Sequence, residues 1–495
     1  MAPPRSADRR LGGIFAHVCS AQDARIEALE AELAALKRER AAASGALNKP
    51  LAGIRVLEVA NWLAAPVAGA LMADMGADVI KVEAPTGDTM RYGLRQVNEP
   101  GFEVGRVSHR PSLHWPDVPF SQENRGKRSI AVDVNNEAGQ NVVHQLAATA
   151  DVFITNLLPE RLERFHLNPD FIMGLNPRLI YASVTGYGMQ GASRNTPGFD
   201  LTSFQARGGP MGSLGEEGAP PVKMRPGMGD HPTGLSCLAG ILAALQLRQT
   251  TGTGTVVETS LLRTATFVLG CDLACALNDG WTPPLTRPRS EELPMTNTWQ
   301  CKGGRWINMS MPGFMLPRYW ARFCNALGQP QLINDKRYNT VAAQVQPGRC
   351  AELTALLDPV FATKELPEWT AIFEAEGCIF APIATIGEVA ADPQVAASGA
   401  IGTIVGGTPA GGNFKVVNAP FGLHGADMQP RGPAAECGEH TGEILEQLGL
   451  NDAQIAELRR TGAVGYQHSN NSYGTYVKMH AARLSKKTEY AKISL

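Results

Sequence analysis

The chain has 495 residues, 44% of them hydrophobic, which is enough for two domains, or one elaborated domain, around a large core. Its 45 Lys and Arg nearly balance its 47 Asp and Glu, which argues against a general binder of nucleic acid or of anionic membranes. Its 9 cysteines have no metal-ligand spacing and its N-terminus has no secretory-signal pattern, so we expect a cytoplasmic protein without a metal site.

Residues 1–50 are predicted to be an N-terminal extension with a short amphipathic helix. Ile26, Leu29, Leu33 and Leu36 follow one another at steps of three and four in a stretch rich in Glu, Ala, Lys and Arg. The pattern covers only about two heptads, which is too few to specify a coiled coil. A solvated helix, or a helix packed on its own domain, is the favoured interpretation.

Strands and helices alternate in the next part of the chain. The pattern predicts a strand over 54–59, a helix over about 66–75, a strand over 78–82, a helix over about 136–148, a strand over 152–155, a helix near 159 and a strand over 179–184. Such alternation indicates a mostly parallel sheet, so we predict an α/β fold with a Rossmann-like large domain over residues 51–284. Residues 86–123 lack periodicity and are predicted to form a long loop.

The first strand–helix–strand unit could suggest a dinucleotide site. Glu83 ends the second strand, where an acid that binds ribose would lie. The turn over residues 60–66 has no G-x-G-x-x-G pattern, however, and it carries Trp62 where a pyrophosphate needs glycine. This argues against a nicotinamide or flavin cofactor.

An aspartate stands where a glycine-rich turn becomes an apolar helix. Asp230 follows Gly227 and Gly229, and apolar residues at helical spacing continue to about Arg248. A helix N-terminus keeps a carboxylate ionised, and an ionised carboxylate in a tight pocket can act as a nucleophile. Asp before a first turn that contains Pro232 is also a typical N-cap, and spacing alone favours that structural interpretation.

The composition changes after a predicted strand near residue 256 and a predicted long helix over about 260–276. Beyond a linker rich in Pro, Arg and Glu, we predict a smaller α+β second domain over 285–400, in which Gly303 and Gly304 form the turn of a hairpin. Residues 401–463 are predicted to return to the large domain, and residues 464–495 to form a polar tail.

Short motifs follow one another along about 410 residues, roughly 51–463. They are 56–59, 64–66, Met75-Gly76-Ala77-Asp78, 79–85, Gly87-Asp88, Asn124-Arg125-Gly126-Lys127-Arg128-Ser129, 156–164, 176–181, Gly198-Phe199-Asp200-Leu201, Gly229-Asp230, 303–307, 381–383 and 438–441. In this order they resemble the class III CoA-transferase family of the CaiB/BaiF type, formyl-CoA transferase-like.

By this resemblance, Asp230 is the nucleophilic carboxylate of an enzyme that moves CoA from an acyl-CoA to a carboxylic acid. The aspartate would form a mixed anhydride and then an enzyme–CoA thioester. The exchange is nearly isoenergetic, so no permanently bound cofactor is implied and the CoA thioester is a substrate. The implied partner is a second copy of the chain in an interlocked homodimer. No nucleic-acid or membrane partner is expected.

Family positions that contact CoA correspond to Lys127, Arg128, Asn156, Leu157 and Arg164. The phosphate groups of CoA need a local basic cluster, because the overall charge of the chain is balanced. Without the resemblance, solvated surface charge would be the favoured interpretation of any one of these basic residues.

The resemblance also implies roles for the turn after the first strand and for two glycine-containing segments. Leu63 and Ala64 would contact substrate, and Asp200 would lie beside the active site. Gly303 and Gly304 are candidates for a loop whose N–H groups stabilise oxyanions. The alternatives are that the glycines simply form a turn and that Asp200 only caps one.

The apolar character of the first strand–helix turn bears on the substrate. Where family members that act on very small polar acids carry a glutamine, this chain has Leu63, beside Trp62. An apolar wall indicates a larger, partly hydrophobic carboxylic acid.

Two other functions remain open. The α-methylacyl-CoA racemases of the same family use a His and Asp pair and have Gly-His-Asp where this chain has Phe199 before Asp200, which disfavours a racemase. His231 is the nearest downstream histidine, interpreted as structural, and His166 keeps the racemase open. The third possibility is a non-catalytic CoA-binding or assembly protein that uses the N-terminal helix.

Overall fold

The computed structural model describes residues 49–93, 118–282, 288–406 and 412–465. The chain forms two compact units. The first unit comprises the described parts of Met1–Gly198, Gly227–Thr264 and Ile401–Leu495, and the second comprises Phe199–Pro226 and the described parts of Ala265–Ala400. The predicted N-terminal helix and residues 466–495 of the predicted polar tail lie outside the described residues, whereas Val464, at the predicted start of the tail, is buried in the core of the first unit.

A six-stranded parallel sheet organises the first unit. In chain order the strands of the protein are β1 Arg55–Val59, β2 Asp78–Glu83, β3 Arg128–Ala131, β4 Val152–Thr155, β5 Ile180–Thr185, β6 Val256–Ser260, β7 Thr298–Gln300, β8 Trp306–Met309, β9 Phe380–Pro382, β10 Ile401–Ile404 and β11 Phe414–Val417. The sheet has the order β3-β2-β1-β4-β5-β6 with every neighbouring pair parallel, which confirms the predicted α/β fold with a Rossmann-like sheet.

The strand order reverses between β1 and β4. In open parallel sheets, ligands bind in the crevice outside the carboxyl ends of the strands at such a switch point. We therefore expect the loops that follow β1 and β4 to form part of a substrate site.

Helices cover the sheet and build much of the second unit. In chain order they are α1 Ala64–Asp74, α2 Met90–Gly93, α3 Val118–Asn124, α4 Glu137–Ala148, α5 Pro159–Arg164, α6 Pro169–Leu175, the π-helix Asp200–Ala206, α7 Pro210–Ser213, α8 Asp230–Thr251, α9 Leu261–Val268, α10 Gly270–Asp279, α11 Leu316–Ala326, α12 Val341–Gln344, α13 Arg349–Phe361, α14 Leu366–Ala375, α15 Ile386–Ala391, α16 Pro393–Ala397, α17 Thr441–Gln447 and α18 Asp452–Arg460. Single 3-10 turns lie at Arg289–Glu291, Pro294–Thr296, Gly313–Met315 and Pro330–Leu332.

The central strands are covered on both faces, as expected for a parallel sheet with helices on either side. β4 and β5 are buried along their whole lengths. Phe153 of β4 stacks on Tyr181 of β5 with ring centroids 5.1 Å apart. The buried Tyr181 hydroxyl donates a 2.7 Å hydrogen bond to the Leu167 carbonyl, so its polar atom is satisfied inside the core.

Glycines set the distance between α1 and its neighbours. Every residue of α1 is buried. A Cβ atom at Gly234 of α8 would lie 2.5 Å from both the Ala64 carbonyl oxygen and Val67 Cβ of α1. A Cβ atom at Gly69 would overlap Oε2 of Glu58 on β1. The absence of these side chains lets α1 pack against α8 on one side and against β1 on the other.

Three sequence predictions differ from the structure. The predicted loop over 86–123 contains α2 and α3, and its residues 94–117 lie outside the described part of the chain. β3 was not predicted, because Arg128 and Ser129 interrupt its short apolar pattern. The predicted helix over 260–276 is wrong: α9 and α10 form a pair bent by 79°, broken before Gly270, a residue that disfavours helix.

α9 and α10 expose apolar side chains. Phe267 and Leu277 are 82% and 81% exposed, and α10 has no buried residue. Among the described residues, no single helix is long and apolar enough to cross a membrane, and only the bent pair α9–α10, taken as one, reaches that length and composition.

The second unit contains a three-stranded sheet in the order β7-β8-β9, with antiparallel pairs, and an aromatic core. Trp299 of β7 stacks on Phe361 of α13 at 4.6 Å between centroids, and the buried Trp369 indole donates a 2.8 Å hydrogen bond to the Phe361 carbonyl. This unit extends beyond the predicted range of 285–400, because it also includes Phe199–Pro226 and the chain from Ala265.

Candidate active site

Asp230 is the first residue of α8. Gly229 occupies the N-cap position, with helical backbone angles (φ −96°, ψ −30°) and no side-chain cap. The interpretation of Asp230 as the N-cap is therefore off by one residue, and its half-buried carboxylate belongs to the first turn of the helix. A carboxylate at this position is stabilised in its ionised form by the positive end of a 22-residue helix.

Hydrogen bonds fix the backbone on both sides of Asp230. Gly227 has a φ of +93°, a left-handed conformation that glycine adopts readily. The Gly227 carbonyl accepts a 3.1 Å bond from the His231 N–H. The Gly229 carbonyl accepts bonds from the N–H and the hydroxyl of the buried Thr233, at 3.2 and 2.8 Å. The turn is therefore held in one conformation from Gly227 to Thr233.

The His231 ring connects this turn to α3. Its Nδ1 lies 2.8 Å from the Gly227 carbonyl oxygen, and its Nε2 lies 3.0 Å from Oε1 of Glu123. The hydrogen bond to Glu123 raises the pKa of His231 to about 9, against the lowering effect of burial, and the charge of Asp230 adds to the rise. His231 is therefore positively charged at neutral pH.

Two asparagines join the loops at the switch point. Asn61, after β1, donates its N–H to Oδ1 of Asn156 at 3.1 Å, and the Asn156 amide donates to the Asn61 carbonyl at 2.6 Å. Leu157, the next residue, is buried, and its N–H donates to the Thr155 hydroxyl at 3.2 Å. The predicted site residues Asn156 and Leu157 therefore lie at the carboxyl end of β4, at the edge of the crevice.

Trp62 has an unusual backbone conformation in the turn between β1 and α1. Its φ is +65°, a left-handed value that costs a bulky residue free energy. Its N–H donates to Oδ1 of the buried Asp88 at 3.3 Å, which helps to hold this conformation. The Trp62 side chain is half-buried.

Of the predicted contacts, Leu63 is the N-cap residue of α1 and Ala64 is its first residue, and both are buried. Leu63 packs in an apolar cluster with Met90 and Phe120, so its side chain serves the core there. The predicted roles of Leu63 and Ala64 in substrate binding stay predictions. The Ala64 carbonyl oxygen would lie 2.5 Å from a Cβ atom at Gly234 of α8.

Lys127 was expected to contact a CoA phosphate, but its ammonium group is surrounded by acceptors from the protein. It donates to Oε2 of Glu58 at 2.8 Å, to the Pro66 carbonyl at 2.9 Å and to Oδ1 of Asn124 at 2.9 Å. Burial lowers the pKa of Lys127 to about 8, although Glu58 opposes this shift. These three acceptors use all three N–H donors of the ammonium group. In this arrangement Lys127 binds the first turn of α1, through the Pro66 carbonyl, to Glu58 of β1.

The other two basic residues predicted to contact CoA, Arg128 and Arg164, differ in whether their guanidinium groups are held in an ion pair. Arg128 binds Asp78 through two hydrogen bonds of 2.7 and 2.9 Å, so its guanidinium is committed to an ion pair between β3 and β2. Arg164, at the end of α5, is exposed, and it contacts Asn135 at 2.8 Å and lies over the Phe165 ring at 4.5 Å. Of the predicted basic contacts, Arg164 is the one left accessible to a phosphate.

Asp200, Gly303 and Gly304 belong to the second unit. Asp200 is 4% exposed and begins the π-helix, where Oδ2 accepts a 3.3 Å bond from Gln205. Gly303 and Gly304 form the predicted hairpin turn between β7 and β8, with φ values of +77° and +82°. The hairpin prediction is confirmed, and the roles of all three residues in catalysis stay predictions.

The sequence of this chain matches the description of one protein family, CoA-transferase family III, over residues 51–441. The chain belongs to CoA-transferase family III. It is 31% identical over 410 residues to cinnamoyl-CoA:phenyllactate CoA-transferase of Clostridium sporogenes, a match that covers 82% of this chain and 95% of that protein. It is also 31% identical over 417 residues to (R)-2-hydroxy-4-methylpentanoate CoA-transferase of Clostridioides difficile, covering 84% and 100%. The predicted family and enzyme class are confirmed.

Solved structures of family III proteins have the same fold. A CAIB/BAIF family protein from Brucella suis superposes with a TM-score of 0.69 at 30% identity and covers 81% of this chain and 100% of its own. Rv3272 from Mycobacterium tuberculosis gives a TM-score of 0.66 at 28% identity and covers 80% and 99%.

Sequence reasoning missed three features of this family III site. Glu123 was not selected, because its link to His231 joins residues far apart in the chain. Asn61 could have been found, because it follows β1 as Asn156 follows β4. The contact of Glu58 with Lys127 has no local signal, since a lysine in an Asn-Arg-Gly-Lys-Arg segment reads as exposed.

Proposed function

We propose that this family III enzyme transfers CoA from an acyl-CoA to a carboxylic acid through covalent intermediates on Asp230. Its carboxylate attacks the thioester carbonyl, the CoA thiolate leaves, and a mixed anhydride forms. The thiolate then attacks the aspartyl carbonyl, which gives an enzyme–CoA thioester and releases the donor acid. The acceptor carboxylate repeats the two steps in reverse and regenerates the Asp230 carboxylate. These exchanges balance without a redox or metal cofactor.

The observation that carries this proposal is the position of Asp230 at the first residue of α8, directly after a turn whose Gly227 and Gly229 carbonyls accept hydrogen bonds from His231 and Thr233. A nucleophilic carboxylate must be ionised and held still, and the helix N-terminus and the hydrogen-bonded turn supply these two conditions. The close packing of α8 on α1 at Gly234 ties this turn to the loop after β1, at the switch point of the sheet.

We propose that the CoA moiety binds at the carboxyl ends of β1 and β4, against Asn156, Leu157 and the exposed Arg164. Asn156 and Asn61 fix each other there through two hydrogen bonds. Lys127 is bound to Glu58 of β1, and Arg128 is bound to Asp78 at the amino ends of β3 and β2, so we propose no phosphate contact for either residue.

We propose a larger, partly hydrophobic carboxylic acid as the acceptor. The half-buried Trp62 adjoins α1 in the turn after β1. The names of two relatives specify phenyllactate and 2-hydroxy-4-methylpentanoate, acids with an aromatic or a branched apolar group. In an acceptor screen, aromatic and branched acids should give higher kcat/KM than formate or oxalate. Equal or better turnover of formate or oxalate would contradict this substrate class.

We also propose a homodimer, to which the exposed apolar side chains of α9 and α10 contribute. Phe267, Val268 and Leu277 are 82%, 56% and 81% exposed in the single chain. Water contact with such side chains is unfavourable, and a second copy would remove it. Light scattering of the purified protein should give twice the mass of one chain, and the mass of a single chain would refute the proposal.

Peptide mass spectrometry tests the nucleophile. After incubation with an acyl-CoA and an acid quench, the wild-type peptide that contains Asp230 should carry a CoA-sized adduct that hydroxylamine removes. Asp230→Ala should lose the adduct and all transfer. Asp452→Ala is a matched control, because Asp452 is also the first residue of a helix but is exposed on α18. Full transfer by Asp230→Ala would refute the proposal.

The racemase alternative receives no support from the histidines. Both ring nitrogens of His231 face acceptors. His166 is exposed, and its ring packs against Phe171 of α6 in a tilted arrangement, with ring centroids 5.5 Å apart. Alpha-proton exchange with solvent deuterium in the absence of an acceptor acid is the result that would favour a racemase.

A further inference from the structure

Both ring nitrogens of His231 are committed to acceptors. The Gly227 carbonyl lies 2.8 Å from Nδ1 and a Glu123 carboxylate oxygen lies 3.0 Å from Nε2. A carbonyl oxygen and an ionised carboxylate accept hydrogen bonds but do not donate them, so each ring nitrogen must carry a proton. The ring is therefore an imidazolium, which has no lone pair with which to remove a proton from a substrate.

The partner of this imidazolium is buried although the ring itself is not. Glu123 is 4% exposed, whereas the His231 side chain is 51% exposed. A buried carboxylate needs a charged or hydrogen-bonded partner to offset its lost hydration. Glu123 lies in α3, whereas His231 lies in the first turn of α8. Their ion pair therefore fastens the start of α8 to a separate element of the same unit.

The ring and the backbone of His231 hold the same atom. The Gly227 carbonyl accepts from the His231 N–H at 3.1 Å and faces the ring Nδ1 at 2.8 Å. Gly227 is also the residue with the left-handed φ at the start of the turn. The conformation of Gly227 through Asp230 therefore depends on His231, and through it on Glu123.

We propose that His231 is a positioning residue for Asp230. Its imidazolium, anchored by Glu123, holds the turn from Gly227 to Asp230 in shape, and its positive charge attracts the adjacent carboxylate and so helps to orient it for attack on the thioester. The charged groups that face it are Glu123 from α3 and Asp230 from its own helix. The inference rests on the proposed role of Asp230 and extends it to two residues that do not touch the reacting atoms.

The pH dependence of acylation tests this inference. In the wild type, the single-turnover rate of enzyme–CoA formation should stay constant up to about pH 9, where the imidazolium begins to lose its proton. Glu123→Gln keeps an oxygen acceptor but removes the charge, so the fall in rate should move toward the ordinary histidine pKa of about 6.5. The KM for acyl-CoA should not change.

One further variant, with its control, separates the effect of the His231 charge from the effect of the conformation of the turn. His231→Asn retains an N–H donor near Gly227 but carries no charge. Its single-turnover rate of enzyme–CoA formation should therefore be lower than that of the wild type at every pH, by about 100-fold if the turn also shifts. This rate should show no fall at alkaline pH, because asparagine does not titrate there. His424→Gln, at an exposed histidine, is the control and should match the wild type.

If Glu123 and His231 only stabilise the fold, a different pH profile is expected. Glu123→Gln would then lower the melting temperature but keep the wild-type pH profile, and this outcome would overturn the inference. Failure of the proposed function is distinguishable, because the wild type itself would then form no CoA adduct on Asp230.

Discussion

Asn61 and Asn156 exchange two hydrogen bonds across the point where the strand order of the sheet reverses. The Asn61 N–H donates to Oδ1 of Asn156 at 3.1 Å, and the Asn156 amide donates to the Asn61 carbonyl at 2.6 Å. The pair joins the loops after β1 and β4, so the two edges of the crevice are fixed by side-chain and backbone groups of the same unit.

Replacement of Asn156 should weaken CoA binding more than catalysis. Asn156→Ala removes both bonds to Asn61, and a hydrogen bond of this kind contributes about 1 kcal/mol. We expect the KM for acyl-CoA to rise roughly tenfold with a smaller change in kcat. Asn325→Ala, at an exposed position on α11, serves as the control. An unchanged KM would argue against CoA binding in this crevice.

Lys127 and Arg164 should respond differently to substitution. Lys127→Ala leaves the buried Glu58 with Lys81 as its remaining cationic partner and should reduce the free energy of unfolding by about 3 kcal/mol. Arg164→Ala should leave stability within about 0.5 kcal/mol but raise the Kd for CoA and flatten its salt dependence. Denaturant unfolding and calorimetric titration measure the two effects. The reverse pattern would restore Lys127 as a phosphate contact.

Glu83 should contribute to stability in a pH-dependent manner. Burial alone would raise its pKa, but Arg91, at 2.6 and 2.8 Å, lowers it to about 2 from an ordinary value of 4.5. A lowered carboxyl pKa stabilises the fold above pH 4.5, and this stabilisation, about 3 kcal/mol, is lost as the pH falls from 4.5 toward 2. Urea unfolding of Glu83→Gln should show a weaker pH dependence in this range than the wild type. Parallel curves would contradict the assignment.

Trp62 offers a test of backbone strain. Because its φ is +65°, Trp62→Gly should be more stable than Trp62→Ala by about 1 kcal/mol, although alanine is ordinarily preferred in folded proteins. Thermal unfolding of the two variants measures this difference. Both should lose kcat/KM for aromatic acids relative to short acids. Equal stability of the pair would mean that residue 62 does not keep its left-handed conformation after substitution.

The packing of α8 on α1 should not tolerate a methyl group. At Gly234 a Cβ atom would lie 2.5 Å from the Ala64 carbonyl oxygen, so Gly234→Ala should lower stability by about 2 kcal/mol. The matched control is Gly174→Ala in α6, where nothing lies within 4 Å and alanine should stabilise the helix by about 0.5 kcal/mol. Denaturation midpoints compare the two. Neutral behaviour of Gly234→Ala would mean that the helices can separate without loss.

Periodicity predicted β4 and β5 because strands buried on both faces are apolar runs, which can be recognised from neighbouring residues alone, but it did not predict β3, whose first two residues are polar. The hairpin at Gly303 was predictable for the same reason, since two adjacent glycines favour left-handed turns. The break between α9 and α10 was not, because an apolar stretch has helical spacing on either side of Gly270.

The site residues likewise fall into two groups: those whose surroundings are set by neighbours in the chain, and those whose contacts come from distant parts of it. Asp230 could be selected because the glycines and the helix that frame it are its neighbours in the chain. The environment of Lys127 could not be predicted, because two of its three acceptors come from β1 and α1 and meet it only when the helix packs. The Glu123–His231 contact likewise joins residues 108 positions apart.

The missing side chain at Gly69 links three positions that are distant in the chain. A Cβ atom there would occupy the space of the Glu58 carboxylate and lie 3.2 Å from the ammonium group of Lys127. Any larger residue at position 69 is therefore compatible with the fold only if the Glu58 carboxylate moves away or residue 58 becomes smaller, and either change disturbs the ion pair with Lys127. In evolutionary terms these positions should co-vary as one unit, so that homologues carry either the glycine with the acid and the lysine or none of the three.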